Sequence, residues 1–306
     1  MTNARFARLS SRLFNVPLAI RQDKAEMLVA ALAQRLGIVS LHFDADDRVL
    51  DAAALQSMSI EGMDGERGGG RCYDTFHGVA MMPIEGTLVH KLGGVDPWCG
   101  MTGYDQIAYK MREAMDDPDV KAIWLDIDSP GGEVSGCFDL CDEIAACSAA
   151  NGGKPIWGFV NEMACSAAYA IASQCDQIIM PRTGVVGSIG VLTMHVDFSK
   201  ALAMDGIKPT LIHAGSHKVD GNAYEPLPDS VRADIQASLE KVRLLFADTV
   251  ARGRKTTRAK MLATEARCYD AQEALGVGLI DAVASEMEAF AAMLTTLGSI
   301  EPHQGD

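Results

Sequence analysis

From residue 79 onward, short apolar runs alternate with longer segments of helical periodicity. The apolar runs predict strands at residues 79–83, 122–128, 155–160, 177–180, 187–196, 210–213 and 279–283. The amphipathic segments predict helices at residues 102–115, 134–146, 199–204, 228–251 and 271–275, one more directly after residue 166, and a last one near the C-terminus. This alternation is typical of a mainly parallel sheet flanked by helices, so we expect an α/β fold.

The pattern changes on both sides of this α/β region. Residues 1–60 read as a helical appendage, because the apolar positions of residues 24–36 recur at helical spacing. Residues 61–78 contain the glycine-rich, charged run EGMDGERGGGR and are expected to form a linker. The α/β domain is then predicted at residues 79–284, and a C-terminal helix with a polar tail at residues 285–306.

Charge and hydropathy exclude several kinds of partner. The chain has 306 residues and a formal net charge of −14. Such an acidic protein is not expected to bind nucleic acid or an anionic membrane surface. No run of about 18 apolar residues is present, and the arginine-interrupted N-terminus lacks the continuous apolar core of a signal peptide. We therefore expect a cytoplasmic protein without a transmembrane anchor.

The eight cysteines do not suggest a metal site or a disulfide framework, because they show no paired CxxC spacing. Cys137 and Cys141 lie four residues apart on a predicted helix, but no nearby histidine completes a ligand set, so core packing is favoured. We expect reduced thiols, no metal and no cofactor. Cys165 is the one thiol placed to compete with its neighbour Ser166 as a nucleophile.

Ser166 lies in the run NEMACSAAY, where a predicted strand gives way to small residues typical of a helix start. Amide groups at a helix N-terminus have no partner within the helix and can stabilise negative charge on a bound carbonyl oxygen. A serine held there is a candidate nucleophile for acyl transfer. Taken alone it would more often be a helix cap.

Two further motifs could complete such a site. In DSPGGE (128–133), paired glycines allow close backbone approach, and the amides of Gly132 and Ala167 could form an oxyanion hole, although an isolated Pro-Gly-Gly is usually a turn. In GSHKVDGN (215–222), Lys218 follows the predicted strand 210–213 and should reach the same rim of the sheet as Ser166. A lysine can serve as base to a serine when it is kept neutral in a dry pocket, although a lone loop lysine is nearly always solvated.

In this order, DSPGG, ACSAAY, GSIGV (187–191) and GSHKVDGN resemble the motifs of the S49 serine peptidases, over about residues 79–284. Within that family, the segment 99–104, the lysine loop and the N-terminal appendage are most similar to the capsid assembly, or head maturation, proteases of lambda-type phages. The resemblance implies a ClpP/crotonase-like fold and a homo-oligomer, in which a neighbouring subunit could supply the lysine.

The same resemblance implies roles for individual residues. Ser166 would be the nucleophile, Lys218 the general base, and the amides of Gly132 and Ala167 the oxyanion hole, while Ser188 would position the lysine by a hydrogen bond. The expected substrates are proteins of capsid assembly, such as scaffold and portal, in the host cytoplasm or the prohead. The chain ends at Asp306 without a long polar helical tail, so scaffolding by this polypeptide is not expected: either the scaffold is a separate product or the gene lies in a prophage remnant.

Other functions stay open at this point. A histidine could replace the lysine as base, with His195, His213 and especially His217 as candidates. A crotonase-type acyl-CoA enzyme would use carboxylates such as Glu133 and Glu162, and would leave the serine and lysine motifs unexplained. The chain could also be a signal-peptide-peptidase-like enzyme that degrades peptides, or a non-catalytic component of a capsid scaffold.

Overall fold

The computed structural model describes residues 17–21, 71–92 and 100–298. Strands in these ranges are β1 (Leu18–Ile20), β2 (Asp74–Phe76), β3 (Val79–Val89), β4 (Met101–Gly103), β5 (Ala122–Glu133), β6 (Ile156–Cys165), β7 (Gln177–Met180), β8 (Val185–Gly187), β9 (Cys268–Tyr269) and β10 (Ala282–Val283). Helices are α1 (Tyr104–Asp116), α2 (Cys137–Cys147), α3 (Ala167–Ala172), α4 (Ser199–Met204), α5 (Asp229–Gly253), α6 (Arg258–Leu262), α7 (Ala271–Val277) and α8 (Glu286–Gly298).

The strands form one twisted sheet whose main path runs β10-β7-β6-β5-β3-β2. β3, β5, β6, β7 and β10 are parallel to their neighbours, whereas β2 is antiparallel to β3. Beyond this path, β8 extends the sheet alongside the end of β6 and carries β9, and β1 pairs antiparallel with the end of β5. The predicted α/β fold class is confirmed as a mixed architecture with a mainly parallel sheet.

Both faces of the central strand β5 are buried, which explains its unbroken apolar sequence. Successive side chains of a strand point to opposite faces, so Ile123 and Leu125 join the core beneath α1, α2 and α3. Trp124 joins a second core on the other face, where it packs with Phe159 and with Met293 of α8. The central strands thus run through the protein interior, and their carboxyl ends emerge at one rim.

Most predicted elements are present, and the central strands are longer than predicted. β5 continues through the DSPGGE motif instead of turning there, and β6 continues to Cys165. β7 and α4 have the predicted limits. Of the predicted strand at residues 187–196, only Gly187 lies in a strand, as the last residue of β8, and the predicted strand at residues 279–283 is reduced to β10.

Two predictions about local structure are wrong. Residues 210–213 form no strand, because a strand needs a partner and Ile212, the central apolar residue, is 95% exposed with no sheet edge beside it. The helix predicted at residues 102–115 does not begin at Thr102, which lies in β4 and whose hydroxyl donates to the Glu85 carbonyl at 2.7 Å. Gly103 takes the cap position instead.

Residues 18–20 form a strand within the region predicted as a helical appendage. The predicted helix at residues 24–36 and the glycine-rich run of the linker lie outside the described residues. Of the helices that the structure describes, none has the length and apolar character required to span a bilayer.

Candidate active site

The candidate nucleophile, Ser166, lies between β6 and α3, in a backbone conformation that is rare for a residue with a side chain. Its φ is 56° and its ψ is −123°. Such a conformation costs about 1–3 kcal/mol and persists only where the surrounding structure enforces it. Here β8 and α3 enforce it, since the Ser166 amide donates to the Gly187 carbonyl of β8 at 2.8 Å, and the Ser166 carbonyl accepts from the Ala170 amide at 3.0 Å.

The Ser166 side chain is completely buried. Its hydroxyl donates to the Gly190 carbonyl at 3.4 Å, a long hydrogen bond that leaves the oxygen lone pairs available. The sharp turn from strand to helix therefore holds a weakly engaged hydroxyl at the carboxyl end of the sheet, which is where parallel α/β proteins bind ligands.

Ala167 is the first residue of α3 and is also fully buried. As the first residue of the helix, its amide has no acceptor four residues earlier within the helix. This places a donor that has no partner within the helix next to Ser166 in the chain, and its part in an oxyanion hole stays a prediction. The small side chains of α3, which are Ala167, Ala168, Ala170 and Ala172, permit the helix to lie close against β5.

The glycines of the DSPGGE motif lie against this turn. A methyl group added at Gly131 would come within 2.9 Å of the Ser166 Cβ and of the Cys165 carbonyl oxygen, and one at Gly132 would lie 1.8 Å from the Leu88 carbonyl oxygen. Only glycine fits at either position. The buried Ser129 hydroxyl accepts from the Gly131 amide at 3.1 Å and donates to the Gly86 carbonyl at 2.6 Å, which fixes the path of the motif.

The structure therefore brings Ser166 together with Gly131, the neighbour of Gly132, but it does not bring Lys218 to them within one chain. Lys218 is exposed in a turn, where its amide donates to the Gly215 carbonyl at 3.2 Å. Across residues 17–21, 71–92 and 100–298, no hydrogen bond joins Lys218 to Ser166 or to Ser188. The strand that was expected to carry the lysine to the rim of the sheet is absent.

Ser188 has an unusual backbone of its own, with a φ of 55°. Its amide donates to the Arg267 carbonyl at 2.9 Å, and its carbonyl accepts from the Gly190 amide at 2.8 Å. These contacts give Ser188 a role in shaping the segment that carries Gly190. The hydrogen bond from its side chain to the lysine stays a prediction.

The candidate histidine bases are engaged elsewhere. His217 is exposed and lies 2.7 Å from the Asp220 carboxylate, which raises the pKa of the imidazole. His195 bonds the Asn222 carbonyl at 2.9 Å, and His213 bonds the Gly215 carbonyl at 2.9 Å. None of the three contacts Ser166 through a hydrogen bond in the described ranges.

Cys165 is not an activated thiol. Its sulfur lies 3.8 Å from that of Cys268, and this hydrogen bond together with burial raises the thiol pKa well above its ordinary value. A thiol that stays protonated is a poor nucleophile. The adjacent Ser166 hydroxyl is thus the better candidate for covalent chemistry.

The carboxylates of the acyl-CoA alternative are engaged in local contacts. Glu133 accepts from the His90 amide at 2.8 Å, and Glu162 accepts from the Thr183 hydroxyl at 3.0 Å.

Cys137 and Cys141 are buried in the main core, where their side chains pack against apolar neighbours. Within the part of the chain that the structure describes, no three histidine, cysteine or carboxylate side chains are grouped so that they could hold a metal ion.

A depression of about 220 Å³ opens beside the segment that accepts the serine hydroxyl. Its lining residues come from that segment, from the middle of α5 and from the turn before β9, and are Gly190, Val191, Gln236, Leu239, Glu240, Arg243, Glu265 and Ala266. This space is connected to Ser166 through Gly190, whose carbonyl accepts from the serine hydroxyl, and it combines apolar surface with charges of both signs.

Three features of the site escaped the sequence analysis. The Gly190 carbonyl is a backbone group in a predicted strand, and no sequence signal marks it as a hydrogen-bond partner. Ser129 was quoted within its motif, and its position between a buried strand and two glycines could have indicated a structural role. The pairing of Leu18–Ile20 with β5 is a long-range contact that residue patterns do not reveal.

A comparison with protein-family models matches residues 148–298 to Peptidase family S49. The chain carries a peptidase family S49 domain. Head-tail preconnector protein GP5 of Enterobacteria phage P21 is 38% identical over 286 residues, which cover 94% of this chain and 56% of that protein. Capsid assembly protease C of Escherichia phage lambda is 38% identical over 291 residues, which cover 94% of this chain and 65% of that protein.

The S49 chain thus spans between about half and two thirds of the length of these two curated relatives. Among solved structures, the 1510-N membrane protease specific for a stomatin homolog from Pyrococcus horikoshii is similar at a TM-score of 0.42 and 15% identity. The match covers 70% of this chain and 77% of that one. At that distance the structural likeness carries no argument about function.

Proposed function

We propose that this protein is a serine endopeptidase that uses Ser166 and Lys218 as a catalytic dyad. The observation that carries the proposal is the strained turn at Ser166, which holds a buried hydroxyl next to the first residue of α3 and against Gly131. The peptidase S49 domain supports the same chemistry. The described single chain leaves Lys218 exposed, so the proposal requires the lysine to reach Ser166 from a neighbouring subunit or after the loop moves.

In the proposed reaction, Lys218 accepts the proton of Ser166 as the serine oxygen attacks the carbonyl carbon of a peptide bond. The negative charge on the carbonyl oxygen is stabilised by the amides of Gly132 and Ala167, each worth about 3 kcal/mol in the transition state. The lysine then gives its proton to the departing amine, and water hydrolyses the acyl-enzyme. No cofactor or metal takes part in this scheme.

We further propose that the substrates are capsid assembly proteins, with scaffold and portal as candidates. Support comes from the two phage relatives at 38% identity over 94% of the chain, one of which is a capsid assembly protease. The protein would work as a homo-oligomer in the host cytoplasm or inside the prohead. Enclosure there would limit the access of host proteins to a reactive serine.

The experiment that tests this function is mass spectrometry of scaffold and portal proteins coexpressed with the wild type or with Ser166→Ala. New termini that appear only with the wild type support the proposal. Ser238→Ala, at an exposed serine of α5, is the matched control and should process like the wild type. Identical products with Ser166→Ala and the wild type would exclude Ser166 as the nucleophile.

The identity of the base is tested with two neighbouring residues. Lys218→Ala should reduce cleavage by at least about a hundredfold, since general-base catalysis contributes on that order. His217→Ala should retain most of the activity, because its imidazole is exposed and paired with Asp220. Cleavage rates of a capsid-derived peptide measure both, and loss of activity in His217→Ala alone would transfer the role to the histidine.

A further inference from the structure

Strand β1 lies in a two-sided slot above the candidate active site. On one side it pairs antiparallel with the glycine motif of β5, with Leu18 opposite Glu133, Ala19 opposite Gly132 and Ile20 opposite Gly131. On the other side Leu18 exchanges two hydrogen bonds with Leu192, at 2.8 and 2.9 Å. Hydrogen bonds on both edges are what an extended peptide makes when it adds to a sheet.

The hydrogen-bond register between β1 and β5 directs the Ala19 carbonyl toward the candidate site. The Arg21 amide donates to the Pro130 carbonyl at 3.0 Å, and hydrogen-bonded pairs in an antiparallel ladder alternate with non-bonded ones. Ala19 and Gly132 are therefore the next hydrogen-bonded pair, and the Gly132 amide faces the Ala19 carbonyl. That amide is one of the two donors assigned to the oxyanion hole.

The same carbonyl lies close to the nucleophile. A methyl group at Gly131 would be 2.2 Å from the Ala19 carbonyl oxygen and 2.9 Å from the Ser166 Cβ. The carbonyl oxygen and the Cβ are thus no farther apart than the sum of these two distances. The segment presents a backbone carbonyl to Ser166 in the way that a peptide substrate would have to.

All three residues of β1 are buried in the slot. Leu18, Ala19 and Ile20 are 3%, 1% and 4% exposed, whereas the preceding Pro17 is exposed. Ser166 is itself completely buried. Any other peptide would need the same amides of β5 and the same edge at Leu192, so it can bind only when β1 leaves.

We propose that residues 17–21 act as an internal, substrate-like strand that occupies the peptide cleft of this protein and closes it to other peptides. The inference rests on the proposed peptidase function for its biological meaning. β1 and an added peptide would compete for the same slot whether or not the site is catalytic. Departure of β1 would then be the step that opens the cleft.

The test uses the full-length chain carrying Ser166→Ala, so that no cleavage complicates the binding measurements. The probe is a fluorescent synthetic peptide with the sequence of residues 15–23. Ile20→Asp, added to Ser166→Ala, places a charge at a site that is 4% exposed and should expel β1. This variant should bind the peptide at least about tenfold more tightly than Ser166→Ala alone, because the competing strand no longer fills the slot.

Leu18→Pro gives an independent way of releasing the strand, because it removes the amide that donates to Leu192. Pro17→Ala, at the exposed residue beside the strand, is the matched control and should leave peptide affinity unchanged. Thermal unfolding of each variant shows that the domain itself is intact.

Hydrogen exchange distinguishes failure of this inference from failure of the proposed function. In Ser166→Ala the amides of residues 18–21 should exchange slowly, and in the Ile20→Asp and Leu18→Pro variants rapidly. Fast exchange of these amides in Ser166→Ala, or equal peptide affinity in all variants, would overturn the inference. Slow exchange and competition in a protein that shows no peptidase activity would uphold the inference and reject the function.

Discussion

The backbone at Ser166 combines a positive φ with a buried side chain, and this combination has a measurable cost in stability. Glycine adopts such a conformation readily, whereas every residue with a Cβ is strained there. The hydroxyl recovers little of that cost, since its hydrogen bond to Gly190 is 3.4 Å long. A strained conformation that local contacts do not offset is typical of a position retained for its chemistry.

Replacing Ser166 with glycine should therefore stabilise the fold while it abolishes any activity that depends on the hydroxyl. We expect Ser166→Gly to exceed Ser166→Ala in the free energy of unfolding by about 1 kcal/mol, because only glycine relieves the strain. Urea unfolding of the two variants checks this difference. If the alanine variant is as stable as the glycine variant, the backbone at this position is not strained.

Asp126 is a second residue whose environment reduces the stability of the fold at neutral pH. It lies in the middle of β5, and its Oδ1 is buried with no hydrogen-bond partner among the residues that the structure describes. Burial, with a further contribution from Glu286, raises the pKa of this carboxyl to about 6, against an ordinary value of 3.8. Because the folded state favours the protonated form, its contribution to stability is present below about pH 4 and is lost as the pH rises through 6.

Asp126→Asn should remove this pH dependence. At pH 8 we expect the variant to be more stable than the wild type by about 1 kcal/mol, a value reduced for the partial exposure of the side chain. The gap should close as the pH falls toward 4, where the wild-type carboxyl is itself protonated. Chemical unfolding between pH 4 and 8 measures this difference in the free energy of unfolding. Asp205→Asn, at an exposed carboxylate, is the control. A difference that stays constant with pH would contradict the assignment of the pH dependence to Asp126.

Among the elements, α5 is attached to the domain mainly at one end. Of its 25 residues, the buried ones are Val231 near the start and a group in the last two turns that runs from Phe246 to Ala251. Directly after the helix, Arg254 donates to both oxygens of Asp281, at 2.9 and 2.7 Å, and to the Gly278 carbonyl at 3.0 Å. The C-terminal end of α5 is thereby fixed to the edge of the sheet.

Arg254→Ala should destabilise the domain by about 3 kcal/mol, because it leaves a partly buried carboxylate without its partner. The Arg258 and Asp248 pair has similar bidentate geometry but exposed side chains, so Arg258→Ala should cost less than about 1 kcal/mol. Thermal unfolding of both variants compares them directly. Equal losses would mean that the burial of the Arg254 pair, with a side chain 9% exposed, adds nothing to its strength.

At the scale of the whole molecule, local sequence patterns were sufficient to predict the turn that carries Ser166. Features that depend on pairing between distant strands could not be predicted from such patterns. Ser166 and Ala167 could be placed because a strand, a run of small residues and a helix follow one another along the chain. The position of Lys218 could not, since it depended on a strand at residues 210–213 that has no partner to pair with. β1 was missed for the converse reason, because its partners at Gly132 and Leu192 are far away in sequence.

The region that carries Lys218 also exposes an unusual amount of apolar surface. Met204 is 88% exposed, Ile207 53%, Ile212 95% and Tyr224 47%. Soluble proteins generally cover such residues, and a neighbouring subunit is one way of doing so. This supports the proposal that the dyad is completed between two copies of the chain.

Mixing two inactive variants tests that proposal. Ser166→Ala keeps the lysine and Lys218→Ala keeps the serine, so an active site shared between subunits can be rebuilt only in a mixed oligomer. With random mixing about a quarter of the sites would hold both groups, and peptidase activity should return to roughly that fraction of the wild-type value. A mixture of two differently tagged Ser166→Ala proteins controls for contaminating protease and should stay inactive. If native mass spectrometry shows mixed oligomers and no activity returns, the two residues must meet within one chain, and the exposed loop of Lys218 would have to move to reach Ser166.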